Sequence, residues 1–306
     1  KSIADGPAIL EYLNRIVDER HIREHIRLSQ KVVGADWDSG TARWTDSTGS
    51  GTAKPKGQAI YVAQEGSPWS AGLYARALLA DDDRSIPALP GGALSLAELE
   101  KVQVTGSGGA MTVTAYALSG NDLDPGYFLL DDKGALFAAI SPRAVFVRKG
   151  FEGEDIKLRD LAVKYSTERF VKMQAKAANS YKAPVRITNV RVFDPVAMKL
   201  TEPKSVLVSG RHISAVLPAS SPATPGEVTI DGEGGTLVPG LYEMHGHIGQ
   251  EDAMLNVRAG ITSVRDMGNE IDVLDGLTER IDSGVLAGPR IIQPGFVQGK
   301  SPVSSH

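Results

Sequence analysis

The chain has 306 residues, of which 42% are hydrophobic and 23% are charged, and these proportions are typical of a globular protein. The net charge of −4 comes without a basic stripe, and no apolar run reaches the roughly 18 to 20 residues of a membrane span, so we expect neither a nucleic-acid nor a membrane partner. The absence of cysteine excludes disulfides, thiolate metal ligands and a cysteine nucleophile, and it leaves the localisation open.

The N-terminal part of the chain predicts a helix followed by a strand pair. Within residues 8–20, Ile9, Leu13 and Ile16 recur at helical spacing, which predicts an amphipathic helix. Residues 27–33 and 42–45 predict two strands. The small, polar residues of 47–57 predict a linker, and we place the first domain boundary there.

Residues 58–182 predict a β-rich region that ends in a long helix. A helix at Trp69–Ala80 comes first. Apolar or alternating runs separated by turn residues then predict strands of a small antiparallel unit, over 112–118, 127–130, 136–140 and 144–148. A helix at about 156–178 closes the region. Its predicted core-facing stripe consists of Leu158, Leu161, Tyr165, Phe170 and Val171.

From residue 183 onward the predicted elements change character. Residues 183–235 carry short strands joined by turns, at 185–193, 205–208 and 213–217. Residues 236–306 alternate strands with helices. The strands are predicted at 236–241, 261–265 and 290–293, and the helices at 252–259 and 271–281. This alternation predicts a parallel sheet built from βα units.

Two histidines, His245 and His247, follow the first of these parallel strands. Residues two apart in a strand point to the same face, so the two imidazoles can bind one metal ion together. The simpler alternative is a pair of polar residues at a strand end.

The context of the histidine pair resembles the amidohydrolase superfamily. The pair ends the run Leu237-Val238-Pro239-Gly240-Leu241-Tyr242-Glu243-Met244-His245-Gly246-His247, and the resemblance continues through 260–268 and 288–291. It also includes Val185–Asp194 and covers about the last 120 residues, while residues 58–180 look like the extended β-rich N-terminal region of some members. The resemblance implies a composite β-sandwich over 183–235 and the first strands of a (β/α)8 barrel over 236–306.

The same resemblance implies roles for four residues. His245 and His247 would be ligands of a catalytic divalent metal, with zinc expected, that activates water for attack on an amide or ester carbonyl of a small-molecule substrate. Glu243 stands where the family usually has Asp. Asp266 would contact the ligands or the substrate, or would cap the turn that follows it. No general base is identified.

The length of the C-terminal segment sets a further expectation. A complete barrel takes roughly 250 residues, whereas 236–306 supplies about three βα units, and the family's further ligands have no counterpart there. We therefore expect weak or absent metal binding and no catalysis by this chain as given. The open edge of three parallel strands offers a route to oligomerisation.

Residues 1–46 resemble a different family, the flavin-dependent monooxygenases of the Baeyer–Villiger type. The similar stretch comprises Lys1–Tyr12, Ile26–Leu28, Val32–Asp38 and Ala42–Thr45. No Gly-x-Gly-x-x-Gly motif follows a strand, so no FAD or NADP site is predicted. We interpret residues 42–46 as a junction between two unrelated coding pieces.

Two alternatives to a metal-dependent hydrolase follow from the sequence. The first is a non-catalytic, β-rich binding or interaction module whose barrel segment is vestigial. The second is a fragment of a flavin monooxygenase, which rests on residues 1–46 alone. Metal content separates the hydrolase from the interaction module, with tight zinc binding requiring ligands not identified here and little or no metal fitting an incomplete hydrolase, and flavin absorbance would support the monooxygenase fragment.

Overall fold

A computed structural model describes residues 41–46, 49–55, 57–62, 67, 69–293 and 295. The predicted helix over 8–20 and the predicted strand over 27–33 lie outside the described residues. The chain divides into two units, residues 1–59 and residues 60–306. None of the helices in the described part of the chain has the length and apolar character that crossing a membrane requires.

The described part of the first unit is a β-hairpin. Strand β1 (Ala42–Asp46) pairs antiparallel with β2 (Gly49–Ala53), and Trp44 lies opposite Gly51. Strand β2 lies within residues 47–57, for which the sequence predicts a linker, and the linker stays a prediction. The indole of Trp44 covers Gly51 so closely that a Cβ there would lie 2.3 Å from a ring carbon. This cross-strand contact stabilises β2, although its small residues do not predict a strand.

The second unit begins with a seven-stranded sheet among the described residues. Its strands, in both chain and spatial order, are β3 (Ile60–Tyr61), β4 (Ser85–Leu89), β5 (Ala93–Gly106), β6 (Gly109–Ser119), β7 (Gly126–Leu130), β8 (Leu136–Ile140) and β9 (Val145–Val147). Helix α1 (Ser70–Leu79) connects β3 to β4, which pair in parallel. All the other neighbours are antiparallel, as predicted.

Helices cover both faces of this sheet. Leu78 of α1 packs on one face with Leu94 and Phe128. Helix α2 (Asp155–Ala177) packs Leu158 on the other face, against Leu129. The adjacent residues Phe128 and Leu129 point to opposite faces because side chains alternate along a strand. The region is therefore a three-layer α/β/α arrangement.

The predicted stripe of α2 is confirmed in part. Leu158, Tyr165 and Phe170 are buried and Leu161 is partly buried, whereas Val171 is 39% exposed. The prediction for Val171 is wrong. Because a helix turns about 100° per residue, a neighbour of Phe170 cannot share its direction.

A second sheet of six described strands follows. Its strands are β10 (Val185–Asp194), β11 (Lys199–Leu200), β12 (Lys204–Ser209), β13 (His212–Pro218), β14 (Val228–Asp231) and β15 (Thr236–Leu237). The long strand β10 pairs antiparallel with β11 and β12 and parallel with β14 and β15. The composite sandwich stays a prediction.

The third sheet is parallel. Strands β16 (Leu241–Gly246), β17 (Ile261–Asp266) and β18 (Arg290–Ile292) lie in that order, joined by α3 (Gln250–Arg258) and α4 (Ile271–Asp282). We call residues 241–292 the βα segment. The predicted parallel sheet of βα units is confirmed, and the fold is of mixed α/β type. An incomplete barrel stays a prediction.

One strand prediction in this part of the chain is wrong. The expected strand 236–241 is divided, because Thr236–Leu237 joins the second sheet and a new strand begins at Leu241. Pro239 has no amide hydrogen to donate to a ladder. Gly240 lies against Thr262 so closely that a Cβ there would be 2.0 Å from its hydroxyl oxygen, and this contact fixes where the chain enters the third sheet.

Candidate metal centre

His245 lies in β16 and His247 follows its end, and both side chains are exposed. Their ring centroids are 5.5 Å apart and the ring planes cross at 75°. Two imidazoles bound tetrahedrally to one Zn²⁺ at Zn–N distances of about 2.0 Å have centroids roughly 5 Å apart. The spacing of the two rings therefore fits a shared zinc ion.

The ring of His247 is oriented by a main-chain carbonyl. Its Nδ1 lies 2.7 Å from the oxygen of Gly268. Because a carbonyl oxygen only accepts, Nδ1 carries the hydrogen in this contact, and the Nε2 of a neutral ring keeps its lone pair. Metal-binding histidines commonly use such a contact to fix the ring and its tautomer.

Asp266 is the last residue of β17 and is 2% exposed. Its Oδ2 accepts hydrogen bonds from the amide of Ile248 at 2.8 Å and from the side chain of Asn269 at 3.0 Å. Its Oδ1 accepts from the amide of Gly268 at 3.0 Å. The carboxylate therefore binds both the chain that follows His247 and the turn that orients the His247 ring.

Glu243 uses its carboxylate locally. Its Oε1 accepts a 2.9 Å hydrogen bond from the amide of His245. In this arrangement the carboxylate holds the main chain at the first histidine. The long side chain of Glu243 therefore turns back toward its own backbone.

Two further residues support the histidine pair, and the sequence did not indicate either. Asn269 is buried and its Nδ2 donates to the carbonyl of Ile248 at 2.8 Å. Arg143, from the turn between β8 and β9, donates from Nη2 to the carbonyl of His247 at 2.8 Å. Asn269 follows Asp266 in the same turn, which is a local signal that could have identified it. Arg143 is 104 residues from His247 and has no local signal.

The donor set is short of a complete site. Among the described residues, no group of three or more His, Cys, Asp or Glu side chains is arranged to hold a metal ion. Zinc sites in enzymes use three protein ligands and a water molecule. Imidazole nitrogens are ordinary zinc ligands, and the described residues bring two imidazoles together. The metal site itself stays a prediction.

No family model matches the chain. Among curated proteins, a stretch of 45 residues is 51% identical to the FAD-containing monooxygenase EthA of Mycolicibacterium smegmatis, and it covers 15% of this chain and 9% of that protein. This match agrees in kind and in length with the resemblance predicted for residues 1–46, nearly all of which lie outside the described residues.

Among solved structures, the chain is similar to a Xaa-Pro dipeptidase with bound methionine, at 27% identity and a TM-score of 0.35, over 37% of this chain and 33% of that one. It is also similar to phenylurea hydrolase B, at 26% identity and a TM-score of 0.34, over 39% of this chain and 32% of that one. Both are hydrolases by name, and both likenesses are partial. The chain spans about a third of the length of these structures.

Proposed function

We propose that this chain belongs to a metal-dependent hydrolase of the amidohydrolase type, in which His245 and His247 are two of the metal ligands. The reaction proposed for the whole protein is hydrolysis of an amide or ester bond in a small molecule. The sequence context of the pair, the run from Leu237 to His247, is the reason for proposing this family.

The observation that carries the proposal is the 2.7 Å contact between His247 Nδ1 and the Gly268 carbonyl. A solvated, non-functional histidine at a strand end needs no such contact. The contact leaves the lone pair of His247 Nε2 free to bind a metal ion. The centroid of this ring is 5.5 Å from that of His245. These two features support the proposal that the pair binds metal, because histidine ligands are commonly oriented by such a second contact.

When bound, a divalent metal supplies Lewis-acid chemistry, lowering the pKa of water and polarising a carbonyl group. The residues of this chain orient the ligands. Gly268 fixes the ring of His247, Glu243 holds the amide of His245, and Asp266 holds the chain just after His247. The Gly268 contact lowers the side-chain entropy that His247 would lose on binding metal, and the other two contacts hold the backbone that carries the histidines.

The test is direct metal titration. The intact chain is titrated with Zn²⁺ by calorimetry and with Co²⁺ by visible absorption, which reports the geometry of the bound ion. The variants are His245→Ala, His247→Ala and both together. We expect each single substitution to weaken binding by at least about tenfold and the double substitution to abolish it.

The matched control is His212→Ala, which removes an exposed histidine from β13 in the second sheet. We expect this variant to bind Zn²⁺ and Co²⁺ as the unmodified chain does. The proposal is wrong if the double variant binds either metal as tightly as the control.

A second candidate function is small-molecule binding by the β-rich region without catalysis. The observation that favours it is a groove of about 370 Å³ between α1 and strands β6 to β9, with an aromatic lining that includes Tyr74, Tyr127, Phe128 and Phe146. Grooves of this size, lined by apolar and polar side chains together, accept small ligands. Phe146 is 49% exposed, so its ring is available to a ligand.

Ligand-observed NMR with an aromatic fragment library tests this candidate. We expect Phe146→Ala to lose the hits that the intact chain binds, and Val196→Ala, at a 94% exposed position outside the groove, to keep them. Equal retention of hits by the two variants would exclude the groove as the binding site.

A further inference from the structure

Arg143 is held in a fixed turn of the β-rich region. The amide of Ser141 donates to the carbonyl of Ala144 at 2.9 Å, and the amide of Ala144 donates to the hydroxyl of Ser141 at 2.9 Å. Pro142, between them, has a restricted φ. The turn therefore presents the Arg143 side chain from a defined backbone.

Arg159 lies in α2 and contacts both the same turn and the residue that precedes α4. Its Nη1 donates to the carbonyl of Arg143 at 2.6 Å and lies 3.0 Å from the Glu270 carboxylate, and its Nε lies 2.9 Å from Asp155. Glu270 directly follows Asn269 in the turn that orients the His247 ring. The β-rich region therefore contacts that turn as well as the histidine itself.

Four polar contacts fix the chain at His247 and Ile248. Three come from the end of β17 and the turn after it: Gly268 to the ring of His247, Asp266 to the amide of Ile248 and Asn269 to its carbonyl. The fourth is the 2.8 Å hydrogen bond from Arg143 to the carbonyl of His247. Of these four contacts between described residues, the Arg143 contact is the one that comes from outside the βα segment.

We infer that Arg143 is a positioning residue for His247, and that metal binding by the histidine pair is therefore coupled to the docking of the β-rich region on the βα segment. This inference rests on the proposed function. Arg143 would act through the main chain of His247, whose carbonyl accepts its hydrogen bond, and would not itself be a metal ligand. Coupling between two equilibria is reciprocal, so metal binding should in turn stabilise the turn that carries Arg143.

The first test measures metal affinity in Arg143→Ala, Arg143→Lys and the control Arg84→Ala. Arg84 is a half-exposed arginine of the same region that pairs with Glu98. We expect Arg143→Ala to weaken Co²⁺ binding by about tenfold, as loss of an orienting contact typically does. Arg143→Lys should restore most of the affinity because an ammonium also donates to a carbonyl, and Arg84→Ala should have no effect.

The second test is hydrogen exchange with and without Zn²⁺. We expect zinc to slow exchange in residues 141–144 and in the first turns of α2 in the intact chain, and to have no such effect in Arg143→Ala. If Arg143→Ala binds Co²⁺ within twofold of the intact chain, or keeps the zinc-dependent protection, the inference is wrong.

A metal-free measurement separates this inference from the proposed function. Nitrogen-15 NMR of the His247 ring reports which ring nitrogen carries the hydrogen. We expect the Nδ1–H form in the intact chain and a larger share of the Nε2–H form in Arg143→Ala, because the anchored backbone holds the ring at Gly268. If the two spectra agree, Arg143 does not position His247. Failure of the intact chain to bind Zn²⁺ and Co²⁺ overturns the role of His245 and His247 as metal ligands in this chain, and the coupling to metal with it, whatever the ring spectra show.

Discussion

The side-chain amide of Gln250 donates a 3.0 Å hydrogen bond to the hydroxyl of Ser166, and both residues are buried. They are 84 residues apart, on α3 and α2. Gln250 also donates to Thr167 at 2.6 Å and accepts from Arg280 at 3.0 Å. Buried polar groups need partners, so this network requires α2 and the βα segment to pack in one arrangement.

The apolar part of the same interface predicts that substitutions at two adjacent residues of α2 differ greatly in their effect on the free energy of unfolding. Phe170 is buried in the cluster of Ile248, Val264 and Leu277, whereas Val171 is 39% exposed. We expect Phe170→Ala to lower the free energy of unfolding by about 3 kcal/mol or more, since it empties a core position. Val171→Ala should change it by less than about 0.5 kcal/mol.

Urea denaturation of the two variants, followed by circular dichroism, measures both values. Val171→Ala is the matched control because it shortens the next residue of the same helix. Equal midpoints for the two variants would contradict the placement of α2 against the βα segment.

The carboxylate of Asp266 gives a second prediction. Its two oxygens accept from Ile248, Gly268 and Asn269, so all three of these contacts are to hydrogen donors. Asp266→Asn replaces one oxygen with an amide NH2 group that faces a donor. We expect a loss of about 1–3 kcal/mol in the free energy of unfolding and weaker Co²⁺ binding, since Ile248 follows His247.

Asp275→Asn, at an exposed position of α4, serves as the control for the loss of a charge. It should leave the urea midpoint and the Co²⁺ titration close to those of the intact chain. If Asp266→Asn behaves in the same way, the carboxylate does not organise the turn after β17.

Local patterns predicted most of the elements of the βα segment. Apolar strands alternate there with amphipathic helices, and Gly260 and Gly284, both with positive φ, follow α3 and α4. Strand β5 was missed although Leu94, Leu96, Val102 and Val104 are buried along it. None of residues 97–101 between these two pairs is buried, and this interrupts the apolar alternation that predicts a strand. The ladder with β6 also shifts register between Glu98 and Lys101, so that Leu94 and Leu96 face one side of the sheet and Val102 and Val104 the other.

The candidate site was predictable only where its residues are close in sequence. His245 and His247 are two residues apart and sit in a recognisable run, so spacing was enough to select them. Arg143 reaches His247 from 104 residues away, and Arg159 reaches Glu270 from 111 residues away. No local pattern encodes such pairs, because they exist only once the β-rich region and the βα segment have packed together.

Gly240, where the chain enters the third sheet, gives a third prediction. A Cβ there would lie 2.0 Å from the hydroxyl oxygen and 2.5 Å from the methyl carbon of Thr262. We expect Gly240→Ala to lower the free energy of unfolding by about 1–3 kcal/mol, the usual effect of overpacking. Gly126→Ala is the control, because a Cβ at Gly126 meets no atom within 4 Å.

Differential scanning calorimetry compares the two glycine variants. Gly126→Ala should melt close to the intact chain, and Gly240→Ala should melt several degrees lower. Similar melting of both variants would mean that β16 and β17 do not approach as closely at Thr262 as the structure has them.

The ion pair between Arg186 and Glu227 predicts a pH dependence of stability. Arg186 Nε lies 2.6 Å from Glu227, and the two side chains are only 3% and 7% exposed. The Arg186 guanidinium lowers the pKa of Glu227 below its usual value. A carboxyl whose pKa is lower in the folded state contributes stability above its unfolded pKa, about 4.3 for Glu, and loses that contribution as the pH falls through the folded value.

We therefore expect Glu227→Gln to lower the urea midpoint clearly at pH 7, since Arg186 keeps a buried charge without its partner. The difference from the intact chain should shrink as the pH falls below about 4.3, because the intact chain then protonates Glu227 as well. Glu202→Gln removes an exposed carboxylate near the same sheet and should have little effect throughout. A difference between Glu227→Gln and the intact chain that is the same at pH 7 and at pH 3 would show that the ion pair does not stabilise the second sheet.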